Sequence, residues 1–245
     1  ASGIGKSIAK LFLSAGVQGF IGVDNNENMD EIFSEELSRY PDTFFPLCCH
    51  ISIENDVRKY MNLARSTFGR IDIMINNAGI AVFDDPLNLS EENWRKCFSV
   101  DLDGVWYGCK RVLPHMLEKK KGSIVNIASV HAFQIIPKCF PYPVAKHGVL
   151  GLTRALAVDY AEKGIKINAI SPGYIFTPIN EWFFNTKPDP AAAKKETEKL
   201  HPINRLGASE EIANAALFMS SDECNFMIGA NVVIDGGITL KIHDN

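Results

Sequence analysis

A serine, a tyrosine and a lysine near the middle of the chain have the types and spacing needed for proton transfer to an alcohol or carbonyl oxygen. Tyr142 and Lys146 are four residues apart, so they share one face of any helix that holds both. An ammonium group beside a phenol favours the phenolate and lowers the tyrosine pKa from its usual value of about 10. Such a tyrosine exchanges a proton with a substrate oxygen near neutral pH, and the Ser129 hydroxyl can hold the same oxygen.

A glycine-rich turn near residue 1 could cradle a pyrophosphate. Gly3-Ile4-Gly5 opens a helical pattern, where glycines let the backbone approach a phosphate and the helix N-terminus supplies N–H donors. Asp24 follows about 20 residues later, at the end of an apolar run, where a carboxylate accepts hydrogen bonds from the adenosine ribose. No Arg or Lys lies between Lys10 and Arg39 to receive a 2′-phosphate. The sequence therefore favours NAD as the cofactor over NADP.

A second polar turn, Asn76-Asn77-Ala78-Gly79, comes directly after the apolar run 71–75. Polar groups at the carboxyl end of a parallel strand face the binding crevice of the sheet. Asn and Gly are also frequent in turns because of their dihedral freedom, so both interpretations stay open at this point.

The elements that must position these motifs alternate along the chain. The apolar runs are continuous, which is typical of strands buried on both faces of a parallel sheet. The order predicts one domain, residues 1–245, of the α/β class with a doubly wound parallel sheet. The predicted strands are 19–24, 43–49, 71–76, 123–128, 166–171 and 231–234, and the predicted helices are 4–17, 28–39, 54–68, 90–119, 142–163 and 209–220.

Two segments depart from this alternation. Residues 177–207 contain four prolines and form a long excursion between strands, of the kind that serves as a substrate lid. The turn Gly3-Ile4-Gly5 has no strand before it, although a βαβ unit needs one. We therefore expect the first strand of the sheet to be missing from this chain and the natural protein to have residues upstream of Ala1.

Composition excludes several classes of function. The 245 residues carry 25 Lys and Arg against 29 Asp and Glu, a net charge of −4, which predicts no nucleic-acid or membrane partner. The apolar runs are far shorter than the roughly 20 residues that span a bilayer, and no secretory signal pattern is present. The six cysteines have neither a CxxC pair nor metal spacing, so we predict no metal site and a cytoplasmic location.

Together these motifs resemble the classical short-chain dehydrogenase/reductase family, over residues 1 to 237. The resemblance implies a Rossmann-type fold, a nicotinamide cofactor and an oxidoreductase that acts on a small-molecule alcohol or ketone. It also implies a homotetramer or homodimer that pairs the helices 90–119 and 142–163. The motifs that carry it are Gly3/Gly5, Asp24, Asn76-Asn77-Ala78-Gly79, Ser129, Tyr142-Pro-Val-Ala-Lys146 and Pro172-Gly173.

The resemblance implies a role for each matching residue. Tyr142 would be the acid/base, Ser129 would orient the substrate oxygen, and Lys146 would lower the Tyr142 pKa and hydrogen-bond the nicotinamide ribose. The positions that it assigns to the cofactor are Gly3, Ile4, Gly5, Asp24, His50, Ile51, Asn77, Ala78, Gly79, Tyr142, Lys146, Pro172, Gly173, Ile175 and Thr177.

Two residues depart from the family pattern. His50 stands where the family usually has an Asp that contacts adenine, and we expect modestly weaker binding because an imidazole can still donate or accept. Asp101 stands where the family usually has an Asn whose backbone carbonyl holds a water in the proton relay to the lysine. The carbonyl survives the change, but an ionised Asp101 would alter the local field. We expect reduced but not abolished turnover.

The substrate is defined only coarsely. We expect Ser129, Tyr142, His131 and Trp182 to contact it, and the residues around Ser129 resemble a subgroup that oxidises sugars, polyols or sugar acids. The sequence thus predicts NAD-dependent, reversible oxidation of a secondary alcohol to a ketone. An NADPH-dependent 3-oxoacyl-type reductase remains an alternative that Asp24 opposes. A catalytically impaired nucleotide-binding protein of the same fold is the other alternative.

Overall fold

The computed structural model describes residues 1–241, which fold into one α/β domain around parallel strands. The strands are β1 (Phe20–Asp24), β2 (Phe44–Cys48), β3 (Ile73–Asn76), β4 (Phe83–Asp84), β5 (Gly122–Ile127), β6 (Phe140–Pro141), β7 (Ile165–Pro172) and β8 (Asn231–Ile234). The helices are α1 (Gly3–Ser14), α2 (Met29–Ile32), α3 (Ser34–Arg39), α4 (Glu54–Phe68), α5 (Glu91–Phe98), α6 (Gly104–Lys119), α7 (Tyr142–Tyr160), α8 (Pro178–Asn185), α9 (Pro190–Leu200) and α10 (Ser209–Ser220).

Four strands form the main sheet in the order β3-β5-β7-β8, and all neighbours run parallel. Every residue of β5 and β7 is buried, which explains their continuous apolar sequences. Helices cover both faces of this sheet. On one face α4, α6 and α7 bury Val57, Val105 and Val149, and on the other α1 and α10 bury Phe12 and Ile212.

The sheet is interrupted between β1 and β3. Strand β1 pairs with β2, and within residues 1–241 no strand joins this pair to the main sheet. A cavity of about 480 Å³ separates β1 from β3, and side chains of α1 also line it.

Two predicted helices are interrupted, so their predicted bounds are wrong. The segment 28–39 forms α2 and α3, with Phe33 buried between them and its ring 5.1 Å from that of Phe44. The segment 90–119 forms α5 and α6, which are joined by a π-helical turn over Ser99–Asp103. Such turns are frequent at functional sites, and this one contains Asp101.

The segment 177–207 is not the irregular loop that its prolines suggested, because it folds into α8 and α9. Pro178 and Pro190 occupy the first position of these helices, where the missing N–H would have had no intrahelical partner. The short antiparallel pair of β4 and β6 is a second feature that the sequence did not predict.

Local capping explains two helix starts that were predicted well. The Ser90 hydroxyl accepts a hydrogen bond from the Asn93 amide and begins α5. The Glu211 carboxylate accepts one from the Ala208 amide at 2.7 Å, so α10 begins at Ser209.

Across residues 1–241, every helix is too short or too polar to cross a membrane. The same residues contain no group of three or more His, Cys, Asp or Glu side chains that could hold a metal ion.

Candidate active site

Ser129, Tyr142 and Lys146 converge at the carboxyl end of β5. Tyr142 is the first residue of α7 and Lys146 follows one turn later, with its Nζ atom 5.5 Å from the centre of the Tyr142 ring. Ser129 follows β5 in an extended conformation, and its hydroxyl accepts a hydrogen bond from the His131 amide at 3.2 Å. Ser129 also lies close enough to Tyr142 to lower the pKa of its phenol. Three residues from two separate segments thus come together around the Tyr142 side chain.

The Lys146 ammonium is buried and has two oxygen partners. Its Nζ atom lies 3.3 Å from the Ile127 carbonyl and 3.3 Å from Oδ1 of Asp101. Asp101 Oδ1 also accepts the Ile80 amide at 3.1 Å, and Oδ2 receives the Cys97 thiol at 3.7 Å. The sequence placed Asp101 in the site but did not predict a direct ion pair with the lysine.

Gly79 provides the space in which this ion pair forms. A Cβ atom at Gly79 would lie 2.7 Å from Asp101 Oδ1 and 3.2 Å from Lys146 Nζ. The turn after β3 therefore has to carry a glycine here, and this packing role was not apparent from the sequence.

Burial controls the acid–base properties of the site. Burial raises the pKa of the Tyr142 phenol, and the negative charge of Asp101 raises it further. The positive charge of Lys146 lowers this pKa, but the net effect is a pKa above the usual value. Burial alone would lower the pKa of the Lys146 ammonium, but Asp101 and Tyr142 hold it above its usual value. Burial also raises the pKa of Asp101 against the opposing effect of Lys146. Lys146 therefore lowers the Tyr142 pKa as expected, but burial and Asp101 together raise it by more.

The glycine-rich turn and the segment after β7 meet at the N-terminus of α1. Gly3 has a φ of +49°, and a Cβ atom there would lie 3.0 Å from Cγ2 of Thr177. A Cβ atom on Gly5 would lie 2.8 Å from Nδ2 of Asn77. No side chain caps α1, so the amides of its first turn, including Ile4, remain available to a phosphate. These residues fit a dinucleotide pyrophosphate.

The carboxyl ends of β1 and β2 form the other part of this crevice. Asp24 ends β1, and its carboxylate accepts a hydrogen bond from the Asn26 amide at 3.0 Å. His50 is exposed, and its backbone amide donates to the Asp56 carboxylate at 3.3 Å. Its contact with adenine stays a prediction. Ile51 packs against Gly104 and, with Asp24, Asn77 and Ala78, lines the cavity beside β1.

The segment after β7 continues this edge. Pro172 ends the strand, and the Gly173 amide donates to the Ile234 carbonyl at 3.0 Å. Ile175 is buried and forms a bridge with Gly207, while Thr177 is the N-cap of α8. These residues therefore form a fixed wall between the main sheet and α8.

The two residues predicted to contact substrate differ in their placement. The His131 ring lies 6.3 Å from the Tyr142 ring and 6.2 Å from the Tyr174 ring. Trp182 is 65% exposed on α8, and none of its described contacts reaches Tyr142. Phe83, which the sequence gave no reason to select, lies 5.6 Å from Tyr142 because β4 pairs with β6.

The fold and the site define a dinucleotide-binding α/β domain with a tyrosine at the carboxyl edge of its sheet. A family model described as enoyl-(acyl carrier protein) reductase matches residues 1–239. The chain is 37% identical over 241 residues to cyclohexanol dehydrogenase of an Acinetobacter species, covering 98% of this chain and 92% of that one. It is 32% identical over 240 residues to 3-oxoacyl-[acyl-carrier-protein] reductase of Thermotoga maritima, covering 98% and 95%.

A solved structure gives the same result. The structure of ElxO with NADP bound superposes with a TM-score of 0.90 at 29% identity, covering 98% of this chain and 96% of that one. The chain therefore belongs to the short-chain dehydrogenase/reductase family and is an NAD(P)-dependent oxidoreductase with a Rossmann fold.

Proposed function

We propose that this protein reversibly oxidises a secondary alcohol to a ketone with NAD, and that Tyr142 transfers the proton. The observation that carries the proposal is the convergence of Ser129, Tyr142 and Lys146 beside the dinucleotide crevice. A phenol, a hydroxyl and an ammonium placed together can hold an alcohol oxygen and accept its proton.

The chain's own residues perform the proton chemistry. In alcohol oxidation the Ser129 hydroxyl donates to the substrate oxygen and positions it beside the Tyr142 phenolate. The phenolate accepts the hydroxyl proton, and Lys146 stabilises the negative charge that the phenolate carries beforehand. When bound, a nicotinamide cofactor supplies the hydride acceptor for oxidation and the hydride donor for reduction. In ketone reduction Tyr142 donates the proton to the carbonyl oxygen.

The preference for NAD rests on the charges beside the adenosine end of the crevice. The Asp24 carboxylate suits the two hydroxyls of a ribose and repels a 2′-phosphate. Two nearby lysines are already engaged, since Lys10 pairs with Glu36 at 2.9 Å and Lys6 donates to the Ile32 carbonyl at 3.3 Å. The neighbour ElxO holds NADP, so the preference is a proposal from this chain's own residues.

Thermal unfolding tests this cofactor preference. A ligand at about 100 times its Kd should stabilise the folded protein by roughly 2.7 kcal/mol. We expect NAD to raise the Tm clearly and NADP at equal concentration to raise it little. An equal or larger shift with NADP would contradict the proposed role of Asp24.

The rings around Tyr142 favour a substrate with an apolar ring. The Phe83 and His131 rings each form a T-shaped pair with the Tyr142 ring, and the Tyr174 ring forms one with His131. Ile135 and Ile136, on the loop that follows His131, are exposed. Phe83, the aromatic ring faces and the two isoleucines offer apolar contact area, so we propose a cyclic secondary alcohol in place of the sugar or polyol that the sequence suggested.

The experiment is an absorbance assay of reduced nicotinamide with a panel of cyclohexanol, polyols, sugar acids and a 3-hydroxyacyl thioester. Tyr142→Phe should lower kcat/KM about 10²- to 10⁴-fold because the acid/base group is lost. Tyr160→Phe, at the other end of α7, is the matched control and should keep the activity. Turnover of no panel member by the wild type would contradict the proposed reaction.

We infer in addition that copies of the chain associate through α6 and α7. Trp106 on α6 and Val158 on α7 are exposed, Val158 at 79%, although both belong to long apolar helices. Light scattering during size exclusion should give the mass of a dimer or tetramer, and Val158→Glu should reduce it. A monomer at micromolar concentration would contradict this inference.

A further inference from the structure

Asp101 places a carboxylate where it can change the charge that acts on Tyr142. Its side chain is 0% exposed and lies on the π-helical turn between α5 and α6. The carboxylate meets the Lys146 ammonium at 3.3 Å, and the Lys146 side chain itself is buried. A charge pair in such a place is screened little by solvent, so its effect on neighbouring groups is large.

Neighbouring groups contact the ion pair from several sides. The Ile80 amide fixes Oδ1 at 3.1 Å, and the Cys97 thiol approaches Oδ2 at 3.7 Å. Lys146 has the Ile127 carbonyl as its second acceptor at 3.3 Å. The missing side chain at Gly79 leaves room for both charged groups.

The titratable and polar groups around the pair come from three segments. Cys97 belongs to α5, Lys146 and Tyr142 belong to α7, and Ser129 follows β5. Lys146 favours the Tyr142 phenolate, whereas Asp101 and Cys97 disfavour it. Burial raises the pKa of the Cys97 thiol to about 12, so Cys97 remains uncharged at neutral pH. Asp101 is therefore the group whose negative charge opposes Lys146.

We propose that Asp101 is a positioning residue, whose carboxylate pairs with Lys146, reduces the positive charge acting on Tyr142, and moves the working pH range of alcohol oxidation upward. The proposal rests on the proposed function, because it concerns the same tyrosine. An amide at this position would keep the shape and the hydrogen bond from Ile80 but would leave the full charge of Lys146 facing the phenol.

The test compares Asp101→Asn with Asp103→Asn. Asp103 is exposed and lies two residues away on the same π-helical turn. Because Asp103→Asn removes the same negative charge, it is the matched control. Two readouts are used: the pH profile of kcat/KM for alcohol oxidation, and the ultraviolet difference absorbance of the Tyr142 phenolate, identified by its loss in Tyr142→Phe. The second readout does not need turnover.

Asp101→Asn should move the acid limb of the profile and the phenolate titration to lower pH by about one unit. At a pH below the wild-type midpoint, kcat/KM should therefore rise about 10-fold. Asp103→Asn should leave both curves in place. A phenolate titration that does not move in Asp101→Asn, or that moves equally in Asp103→Asn, would overturn the proposal.

The outcomes separate this proposal from the proposed function. A shifted phenolate titration in a protein that turns over no alcohol supports the role of Asp101 and counts against the proposed reaction. Asp101→Ser, which is smaller and also neutral, replaces the first variant should that one fail to fold. Loss of the folded state in both neutral variants would contradict the proposal, because it assigns Asp101 to the charge balance and not to the stability of the fold.

Discussion

Tyr142 has a phenol oxygen whose proton affinity depends on a few neighbouring atoms. Lys146 lowers the energy of the phenolate, while burial and Asp101 raise it, so the free protein keeps the Tyr142 pKa above its usual value. Because alcohol oxidation needs the phenolate, the rate should increase with pH as Tyr142 loses its proton. The same balance favours ketone reduction at lower pH, where the phenol still carries the proton.

Asp24 is expected to decide between the two nicotinamide cofactors. Asp24→Asn removes the charge that binds the ribose hydroxyls, so the Kd for NAD should rise roughly 10-fold while the Kd for NADP falls. Asp30→Asn, an exposed residue on α2, is the control and should change neither value. Calorimetric titration measures both constants, and an unchanged ratio of the two in Asp24→Asn would exclude Asp24 as the determinant.

Gly79 is expected to tolerate no side chain. Gly79→Ala would place Cβ within 2.7 Å of Asp101 Oδ1, which forces the ion pair apart and should cost about 1–3 kcal/mol of unfolding free energy. Gly151→Ala is the matched control, since a Cβ atom at Gly151 meets nothing within 4 Å. Urea unfolding of both variants checks this, and equal stability of the two would contradict the packing role of Gly79.

The spacing of these residues predicted part of the site. Tyr142 and Lys146 share a helix face as expected, and Ser129 follows its strand as expected. The contact between Asp101 and Lys146 could not be predicted, because it depends on a π-helical turn and on the room beside Gly79. Long-range packing determines both features, and local sequence does not encode them.

At the scale of elements, α8 and α9 form the segment that we propose as a substrate lid. Arg205 lies near the end of this segment, residues 177–207, and its guanidinium makes a bidentate pair with Glu211 on α10 at 2.7 and 2.8 Å. Glu211 also accepts the Ala208 amide. One carboxylate thus joins the far end of the proposed lid to the start of a helix that is buried against the main sheet.

This connection should make part of the stability depend on pH. The Arg205 hydrogen bonds and the Ala208 amide lower the pKa of Glu211 to about 2, so its contribution is full above the ordinary carboxyl pKa and is lost as pH falls towards 2. Because the side chain is 41% exposed, screening reduces the contribution to about 1 kcal/mol. Glu211→Gln should therefore be less stable than the wild type at neutral pH but not at about pH 2.

Glu210→Gln is the control for this prediction. Glu210 is exposed and its carboxylate accepts one hydrogen bond, from the Ser7 hydroxyl, so its removal should change the unfolding free energy little. Denaturant unfolding at several pH values measures each difference. A pH-independent effect of Glu211→Gln would show that the ion pair does not carry it.

Comparison of predicted and observed bounds shows which helices and strands the local sequence is sufficient to predict. Helices α4 and α10 and strand β8 have the predicted bounds, because their apolar patterns and end residues agree with the final packing. The pattern did not predict α8 and α9, because prolines usually interrupt helices, whereas Pro178 and Pro190 begin them. It also failed for β4 and β6, which are only two residues long and pair across a long separation in sequence.

At the scale of the whole molecule, the two parts of the sheet should differ in stability. Strands β5 and β7 are buried at every residue, whereas β1 is half-buried and borders the 480 Å³ cavity. Amides of β1 and β2 should therefore exchange hydrogen at least about 10-fold faster than those of β5 and β7. Hydrogen exchange with mass spectrometry measures the difference, and uniform protection across all four strands would contradict it.

The central claim is that Tyr142 assists hydride transfer from a secondary alcohol to NAD. The most direct measurement incubates the protein with NAD and cyclohexanol that carries deuterium on its carbinol carbon, followed by mass spectrometry of the cofactor. We predict one deuterium in the reduced cofactor made by the wild type and by Tyr160→Phe, and nearly none with Tyr142→Phe. A cofactor without deuterium, or equal transfer by Tyr142→Phe, would contradict the claim.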